Sequence, residues 1–266
     1  MKNLLLFVLL PLLFVACQKE KKEGQDKQPP LAIKANLLSK VTYTNDTGAI
    51  TIIRYSYDSK NRIRKKQYSL GYTYEIAYDA AGNLTRVKEY YETHLNDPDS
   101  TVTTYVYVNG LPKSGIKTIY YKEKVFRTIQ ITFEVSNSRI TKVTAKEDKF
   151  DSYYYTLAYD AVGNIKTLNY DFFGVTTYEY SDKKSQFYDS REKVMIEYPA
   201  IEFYSPNSLK STYLENDRGS NREEYTTTFG ADEFPKSAVI KTTRTYLNGS
   251  KVITNSSFIY EYMRAP

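Results

Sequence analysis

A short unit that recurs along the chain constrains the fold more than any other feature of the sequence. Its clearest copies read YDSKNRI at residues 57–63, YDAAGNL at 78–84 and YDAVGNI at 159–165, and weaker copies begin near Tyr107, Phe133, Tyr180 and Phe229. Each copy follows a run in which apolar and polar residues alternate, which is typical of a β-strand with one buried face. Asp can bond to the backbone two residues further on, and Gly82 and Gly163 can adopt the positive φ that other residues resist. The unit therefore predicts a strand, a tight turn and a returning strand.

The residues after each turn show a second regularity. An apolar residue is followed by another three positions later, as in Leu84 and Val87 or Ile165 and Leu168. A spacing of three does not fit the period of two along a strand. We therefore expect a β-bulge just after the turn, with regular alternation resuming beyond it.

The spacing of the units predicts the size of the sheet. Neighbouring units mostly begin roughly 21 to 29 residues apart, about one hairpin and its connection, so residues 31–266 predict roughly 14 to 18 strands. The 28 Tyr and 12 Phe residues suit a pleated, half-buried surface. The fold class is therefore all-β: one repetitive domain over 31–266, an antiparallel hairpin meander that curls into a barrel, a half-barrel or a spiral sheet.

The N-terminus has the features of an export signal. A cationic start and an apolar run end at Ala16, which predicts a signal peptide over residues 1–16. Cys17 is the only cysteine, so we expect it to carry lipid rather than a disulfide. Residues 17–30 then form the lipidated Cys and a disordered tether, because 18–30 contain no apolar residue to bury.

Two resemblances follow from these motifs. Residues 14–17, FVAC, resemble the lipobox of bacterial lipoproteins, and Lys19-Glu20 resembles part of a surface-export signal of Bacteroidetes lipoproteins. The units at 78–84 and 159–165 resemble the YD repeat of Rhs-type proteins. Together they make the chain similar to Bacteroidetes lipoproteins of unknown function with a porin-like β fold. The resemblance implies an outer-membrane lipoprotein, on the periplasmic side or at the cell surface, and it carries over no catalytic residues.

The candidate strands do not suit a wall that faces lipid. A transmembrane strand needs an apolar residue at every second position for about ten residues. The run at 116–123, IKTIYYKE, is too short and too charged for that. We therefore expect the barrel to stand outside the bilayer and to be held there by its lipid.

Residues that could perform catalysis or bind metal are sparse. His94 is the single histidine, and it could act as a base or metal ligand with Asp97 or Asp99, but a lone polar residue in a loop is the favoured interpretation. Calcium would need several oxygen ligands, whereas each repeated turn offers one carboxylate, from Asp58, Asp79 or Asp160, so we expect these to form Asx-turns. No P-loop, GxSxG or dinucleotide motif is present. The sequence thus predicts no catalytic residue, no metal, no cofactor and no enzyme activity.

Tyrosine is abundant in the chain and could form a binding surface. Tyr90-Tyr91, Tyr120-Tyr121 and Tyr153-Tyr154-Tyr155 place rings on both faces of a strand, either as a platform for glycan or peptide or as cross-strand pairs. The net charge of +6 comes from interleaved basic and acidic residues, so no nucleic-acid partner is expected.

Two functional hypotheses remain open. The first is a non-catalytic envelope lipoprotein that acts as a binding or scaffolding module, with the membrane as a partner through its anchor and a glycan or envelope protein as a further partner. The alternative is a carrier that holds a small ligand inside a barrel, and an enzyme is the least supported. An exposed aromatic patch would favour the first, and a cavity lined by convergent polar groups would favour the carrier.

Overall fold

The structure, a computed structural model, describes residues 35–91, 100–147, 152–171, 173–188 and 205–265. The predicted signal peptide, Cys17, the tether and His94 with Asp97 and Asp99 lie outside these residues. Among the described residues, no helix is long and apolar enough to cross a membrane.

The described residues form an all-β fold of sixteen strands. They are β1 Asn36–Thr44, β2 Ile50–Tyr57, β3 Ile63–Tyr68, β4 Tyr72–Tyr78, β5 Leu84–Tyr91, β6 Ser100–Val108, β7 Leu111–Tyr121, β8 Lys124–Ser136, β9 Arg139–Glu147, β10 Tyr153–Tyr159, β11 Ile165–Tyr170, β12 Gly174–Lys184, β13 Asn207–Asn216, β14 Gly219–Phe229, β15 Pro235–Tyr246 and β16 Lys251–Arg264.

The strands close into one barrel. Each strand pairs antiparallel with the next in sequence, and β1 pairs with β16 to complete the ring. At this seam the Ser39 hydroxyl donates to the carbonyl of Glu261, 222 residues later. The antiparallel meander and the strand number are thus confirmed, and closure selects the barrel over the half-barrel and the spiral.

Strand β8 is apolar inside and polar outside, whereas other strands also expose apolar side chains on the outer face, among them Ile116 and Val239. Along β8, Ile131 and Phe133 are buried in the lumen, whereas Thr132 and Glu134 point outward. Outward charges also pair between neighbouring strands, as in the 3.0 Å contact between Lys142 Nζ and Glu134 Oε1. A transmembrane barrel has the opposite alternation.

The two ends of the barrel differ in their turns. The turns after β2, β4, β6, β8, β10 and β14 lie at one end, with the start of β1 and the finish of β16, and we call this the Asp-turn end. The opposite end carries the turns after β1, β3, β7, β11, β13 and β15. A buried apolar cluster fills the Asp-turn half of the lumen, and the side chains of Ile63, Leu84 and Ile165 in it are 0% exposed.

The predicted bulges are present after the repeated turns. The register of β4 and β5 shifts between Ala77 and Tyr78, and Leu84 and Val87 both reach the lumen as a result. The same shift occurs between Ala158 and Tyr159. The bulge therefore explains the spacing of three.

The repeated aspartates organise the turns, as predicted. In the β10–β11 turn, Asp160 Oδ1 accepts backbone N–H groups of Val162, Gly163 and Asn164 at 2.7 to 2.9 Å, and Oδ2 accepts the Asn164 side chain at 2.8 Å. Partial burial alone would raise the pKa of Asp160, but these hydrogen bonds outweigh it and hold that pKa below the ordinary value of 3.8. Both carboxylate oxygens are thus engaged within the turn.

The repeated tyrosines connect each unit to its predecessor. The phenol of Tyr78 donates to the carbonyl of Ile63 at 2.8 Å, and the phenol of Tyr159 donates to that of Ile140 at 2.8 Å. Burial raises the pKa of Tyr159 to about 12, so the donor keeps its proton at physiological pH.

An arginine adds a second contact between units. The Arg62 guanidinium lies 4.1 Å above the Tyr78 ring of the next unit. Arg139 lies 5.3 Å from the Tyr159 ring in the same way. The motif thus specifies both the turn and the attachment of neighbouring hairpins.

Candidate functional site: a cavity in the lumen

A cavity of about 480 Å³ lies in the lumen beside strands β12 to β16 and β1 to β3. Its lining combines eight aromatic rings with aliphatic and polar side chains. The lining residues are Leu38, Val41, Ile53, Tyr55, Lys66, Tyr68, Thr176, Tyr178, Tyr180, Ser185, Gln186, Phe187, Ser205, Asn207, Ser208, Leu209, Thr212, Leu214, Asn221, Glu223, Tyr225, Thr227, Ile240, Phe258 and Tyr260.

The cavity exists because the lumen is packed unevenly. Near β5 and β8, large apolar side chains such as Leu84, Ile131 and Phe133 are buried against one another. On β13 and β14 the corresponding inward positions hold shorter or polar residues, among them Thr212 and Asn221. Shorter side chains leave the space between the walls unfilled.

The described residues of the connection between β12 and β13 contribute to the wall of the cavity at the Asp-turn end. Phe187 from this connection is buried, and its ring meets the edge of Tyr55 at 5.4 Å between centroids. On the far side of the connection, Ser205 Oγ donates to the Tyr180 hydroxyl at 2.8 Å. Ser185, Phe187 and Ser205 of this connection are therefore buried, whereas Tyr188 is exposed.

Two acceptor side chains on β14 face the cavity. Glu223 Oε2 accepts the Tyr225 hydroxyl at 2.8 Å and the Thr212 hydroxyl at 3.4 Å. Asn221 Oδ1 is buried and meets no hydrogen-bond donor among the residues that the structure describes. Burying an acceptor in this way costs free energy, so Asn221 offers a position where a ligand donor would be stabilised.

Lys66 on β3 contributes a positive charge to the cavity. Its Nζ lies 5.1 Å from the centroid of the Tyr68 ring and 5.9 Å from those of Tyr55 and Tyr74. Across the described part of the chain, Lys66 has no carboxylate within ion-pair distance. Cation–π contacts hold the ammonium in place without neutralising it.

The side chains proposed from sequence do not converge on this cavity. Asp58, Asp79 and Asp160 lie in the turns. The side chains of Tyr90 and Tyr91 lie outside the described residues. Within the described ranges, no group of three His, Cys, Asp or Glu side chains could hold a metal ion.

The tyrosine runs do not form one platform either. Tyr155 is buried in the lumen, while Tyr154 points outward and lies 5.2 Å from Lys142 Nζ. Tyr121 packs with Phe126 near the opposite end. The rings that do converge, those around Lys66, come from three different strands.

Comparison with known proteins identifies the fold. No protein-family model matches the chain, and no curated protein matches it. A porin-like protein from Bacteroides uniformis is similar over 85% of this chain and 96% of its own, with 14% identity and a TM-score of 0.56. A porin-like protein from Bacteroides vulgatus is similar over 86% of this chain and 99% of its own, with 12% identity and a TM-score of 0.49. At 14% identity, the chain shares its barrel fold with the Bacteroides uniformis protein.

Proposed function

We propose that this chain is a non-catalytic envelope lipoprotein that holds a small ligand inside its barrel. The observation that carries the proposal is the cavity in the lumen, whose lining combines aromatic rings and aliphatic side chains with polar groups that face one space. Of the two hypotheses drawn from the sequence, this favours the carrier.

The size and chemistry of the cavity support a small, largely apolar ligand. A volume of about 480 Å³ lies within the range of small-molecule sites, which run from about 300 to 1,000 Å³. The lining is mostly aromatic and aliphatic, and Lys66, Asn221 and Glu223 supply a charge and two acceptors. Such sites use their few polar groups to orient the ligand.

The envelope location rests on the N-terminal motif and on the fold. The lipobox-like residues before Cys17 support lipidation, and the shared fold with a porin-like Bacteroides protein fits an outer-membrane association. The outward ion pair of Lys142 and Glu134 and the polar outer face of β8 support a barrel that stands in water and is anchored by lipid, either in the periplasm or at the cell surface. Replacing Cys17 by Ser is expected to abolish fatty-acid labelling, and labelling that persists would contradict the anchor.

Ligand binding can be tested with a neutral dye. N-Phenyl-1-naphthylamine fluoresces when it enters an apolar site, and we expect the unlipidated Cys17→Ser protein to bind it saturably at one site. Thr176 and Thr177 are adjacent on β12, the first facing the cavity and the second facing outward. Thr176→Trp fills part of the cavity and should weaken binding by about tenfold or more. Thr177→Trp should leave binding unchanged.

Two results would contradict the proposal. One is an absence of saturable dye binding by the folded protein. The other is equal weakening by Thr176→Trp and Thr177→Trp, because an outward indole does not reach the lumen. Circular dichroism of each variant checks that the barrel remains folded.

A further inference from the structure

We propose that the ligand is an amphipathic organic acid, whose anionic group binds Lys66 while its apolar body occupies the aromatic part of the cavity. This inference rests on the proposed function, since it names the class of ligand that the lumen holds. Its evidence is the position and surroundings of one cation.

Lys66 faces the lumen because of the bulge after the β2–β3 turn. The register of the two strands shifts between Ser56 and Tyr57, and Lys66 then pairs with inward-facing Tyr55 on one side and inward-facing Tyr74 on the other. Without that shift, the preceding lysine, Lys65, would take the inward position. The bulge therefore turns a lysine into the cavity between two tyrosine rings, and the row continues beyond Tyr74 with the buried Glu89 on β5.

The surroundings of Lys66 leave its charge available to a ligand. Three tyrosine rings lie 5.1 to 5.9 Å from its ammonium group. Rings stabilise a cation, but they cannot offer the charge-assisted hydrogen bonds that a carboxylate provides. In a partly dehydrated lumen an anion would bind this ammonium more strongly than at the surface, because the surrounding dielectric is lower.

The opposite wall of the cavity sets a second requirement. Glu223 has two hydroxyl donors from the protein, whereas Asn221 Oδ1 has none among the described residues. A second anionic group there would meet the Glu223 carboxylate and be repelled. The arrangement thus fits one anionic end, near Lys66, and a neutral body that can donate a hydrogen bond to Asn221.

Two related dyes test separately the contributions of the ligand's anionic group and of its apolar body. 1-Anilinonaphthalene-8-sulfonate has the same aromatic amine as N-phenyl-1-naphthylamine and adds one sulfonate, which stands in for the ligand anion. In the unlipidated Cys17→Ser protein, Lys66→Met should weaken binding of the sulfonated dye by about tenfold. Binding of the neutral dye should weaken much less than binding of the sulfonated dye, because methionine keeps the apolar stem and the neutral dye has no anion for the ammonium to hold.

Lys65→Met is the matched control. Lys65 precedes Lys66, lies opposite Glu75 in the β3–β4 ladder and faces outward. Its replacement therefore removes the same charge from the protein without altering the lumen. Affinity for both dyes should stay at the level of the parent protein. Asn221→Leu should weaken the neutral dye, whose N–H is free to donate, more than the sulfonated dye, whose N–H bonds to its own neighbouring sulfonate.

The outcomes distinguish this inference from the proposed function. Equal affinity of the sulfonated dye for the Lys66→Met and Lys65→Met proteins would overturn the organic-acid proposal, while saturable binding of the neutral dye would keep the lumen as a binding site. If neither dye binds saturably, both proposals fall. Tenfold weakening confined to Lys66→Met and to the sulfonated dye supports the anionic ligand.

Discussion

The two ends of the barrel are built differently from the same hairpins. At the Asp-turn end, neighbouring units are connected by the hydrogen bonds of the Tyr78 and Tyr159 phenols and by the contacts of two arginines with the same rings. The aspartates organise the turns themselves, and the apolar core beneath them is buried. At the opposite end, apolar side chains stand exposed on separate hairpins: Leu70, Phe126, Phe173 and Leu247, of which Leu247 is 77% exposed. The inner wall toward this end also carries polar groups, including Lys66, buried Glu89 and Glu223.

Because of this difference, we expect stability and ligand binding to depend on different residues of the barrel. Packing and turn contacts at the Asp-turn end supply stability, because burial there is nearly complete. The cavity lies on one side of the lumen, beside β12 to β16 and β1 to β3, and its lining extends from Phe187 at the Asp-turn end to Leu214 toward the opposite end. Substitutions at the two ends should separate loss of stability from loss of binding.

The largest difference is expected from core leucines. Leu84 is 0% exposed at the Asp-turn end, whereas Leu214 is partly exposed beside the cavity. Leu84→Ala should lower the free energy of unfolding by about 2 to 5 kcal/mol, because it leaves a void that the packed core cannot fill. Leu214→Ala should cost about 1 kcal/mol or less, since water already reaches that site. Urea unfolding measures the free energy of unfolding of both variants. Equal losses of stability would contradict the difference between the two ends.

A smaller effect is expected at the turn glycine. Gly163 has φ of 108°, and a β-branched residue resists positive φ, so Gly163→Val should cost more than about 1 kcal/mol. Gly163→Asn should cost less, because Asn61 occupies the same place in the β2–β3 turn with φ of 62°. Chemical denaturation of the two variants measures the difference.

Gly249 at the opposite end provides the control for this prediction. Its φ is 79°, and a Cβ there would meet no atom within 4 Å, whereas a Cβ on Gly163 would lie 3.0 Å from Arg139 Nη2. Gly163→Ala should therefore cost more than Gly249→Ala, and Arg139→Ala should reduce that excess. Equal losses from Gly163→Val and Gly163→Asn would show that contact with Arg139, rather than φ, requires the glycine.

The smallest expected effect is the loss of stability of the folded protein at acidic pH. Partial burial opposes ionisation of Asp58 and Asp160, but side-chain and backbone hydrogen bonds prevail and lower the pKa of both carboxyls below 3.8 in the folded protein. Their contribution to stability is therefore complete above the unfolded value and is lost as pH falls through 3.8 toward the folded values. The loss should be modest, since partial burial of both groups offsets much of what the hydrogen bonds contribute.

Urea unfolding between pH 6 and 3 tests this contribution. The double variant Asp58→Asn, Asp160→Asn should lose less stability on acidification than the parent chain, because it lacks two of the groups that become protonated. Identical pH dependence in the two proteins would show that these turns do not contribute to acid sensitivity.

The local features of the fold were predictable from sequence because they depend on neighbouring residues. Alternation indicated the strands, and the spacing of Leu84 and Val87 indicated the bulge that the structure contains. Closure was not predictable in this way. It depends on the pairing of Asn36 with Arg264, and nothing in either segment marks the other as its partner.

The candidate site was harder to predict than the fold. Lys66 lies in the polar run Arg64-Lys65-Lys66-Gln67, where alternation cannot tell which lysine faces inward. Glu223 is likewise embedded between Arg222 and Glu224. The pairing register of each strand decides whether Lys66 and Glu223 face the lumen, because a shift of one residue moves every side chain of a strand to its other face. The bulge after residue 63 was the one available signal, since it moves Lys66 into the lumen.

The pairing of β1 with β16 also sets the order in which the barrel can be completed. Every other strand pairs with its neighbour in sequence, and such hairpins close early because little chain entropy is lost. The β1–β16 ladder joins two strands far apart in sequence, so the folding chain holds an open sheet until the 14-residue β16 pairs with β1. During that interval the backbone of β1 is an unprotected edge that another chain can extend. Pairing of β16 therefore removes the exposed edge of β1 as well as closing the finished barrel.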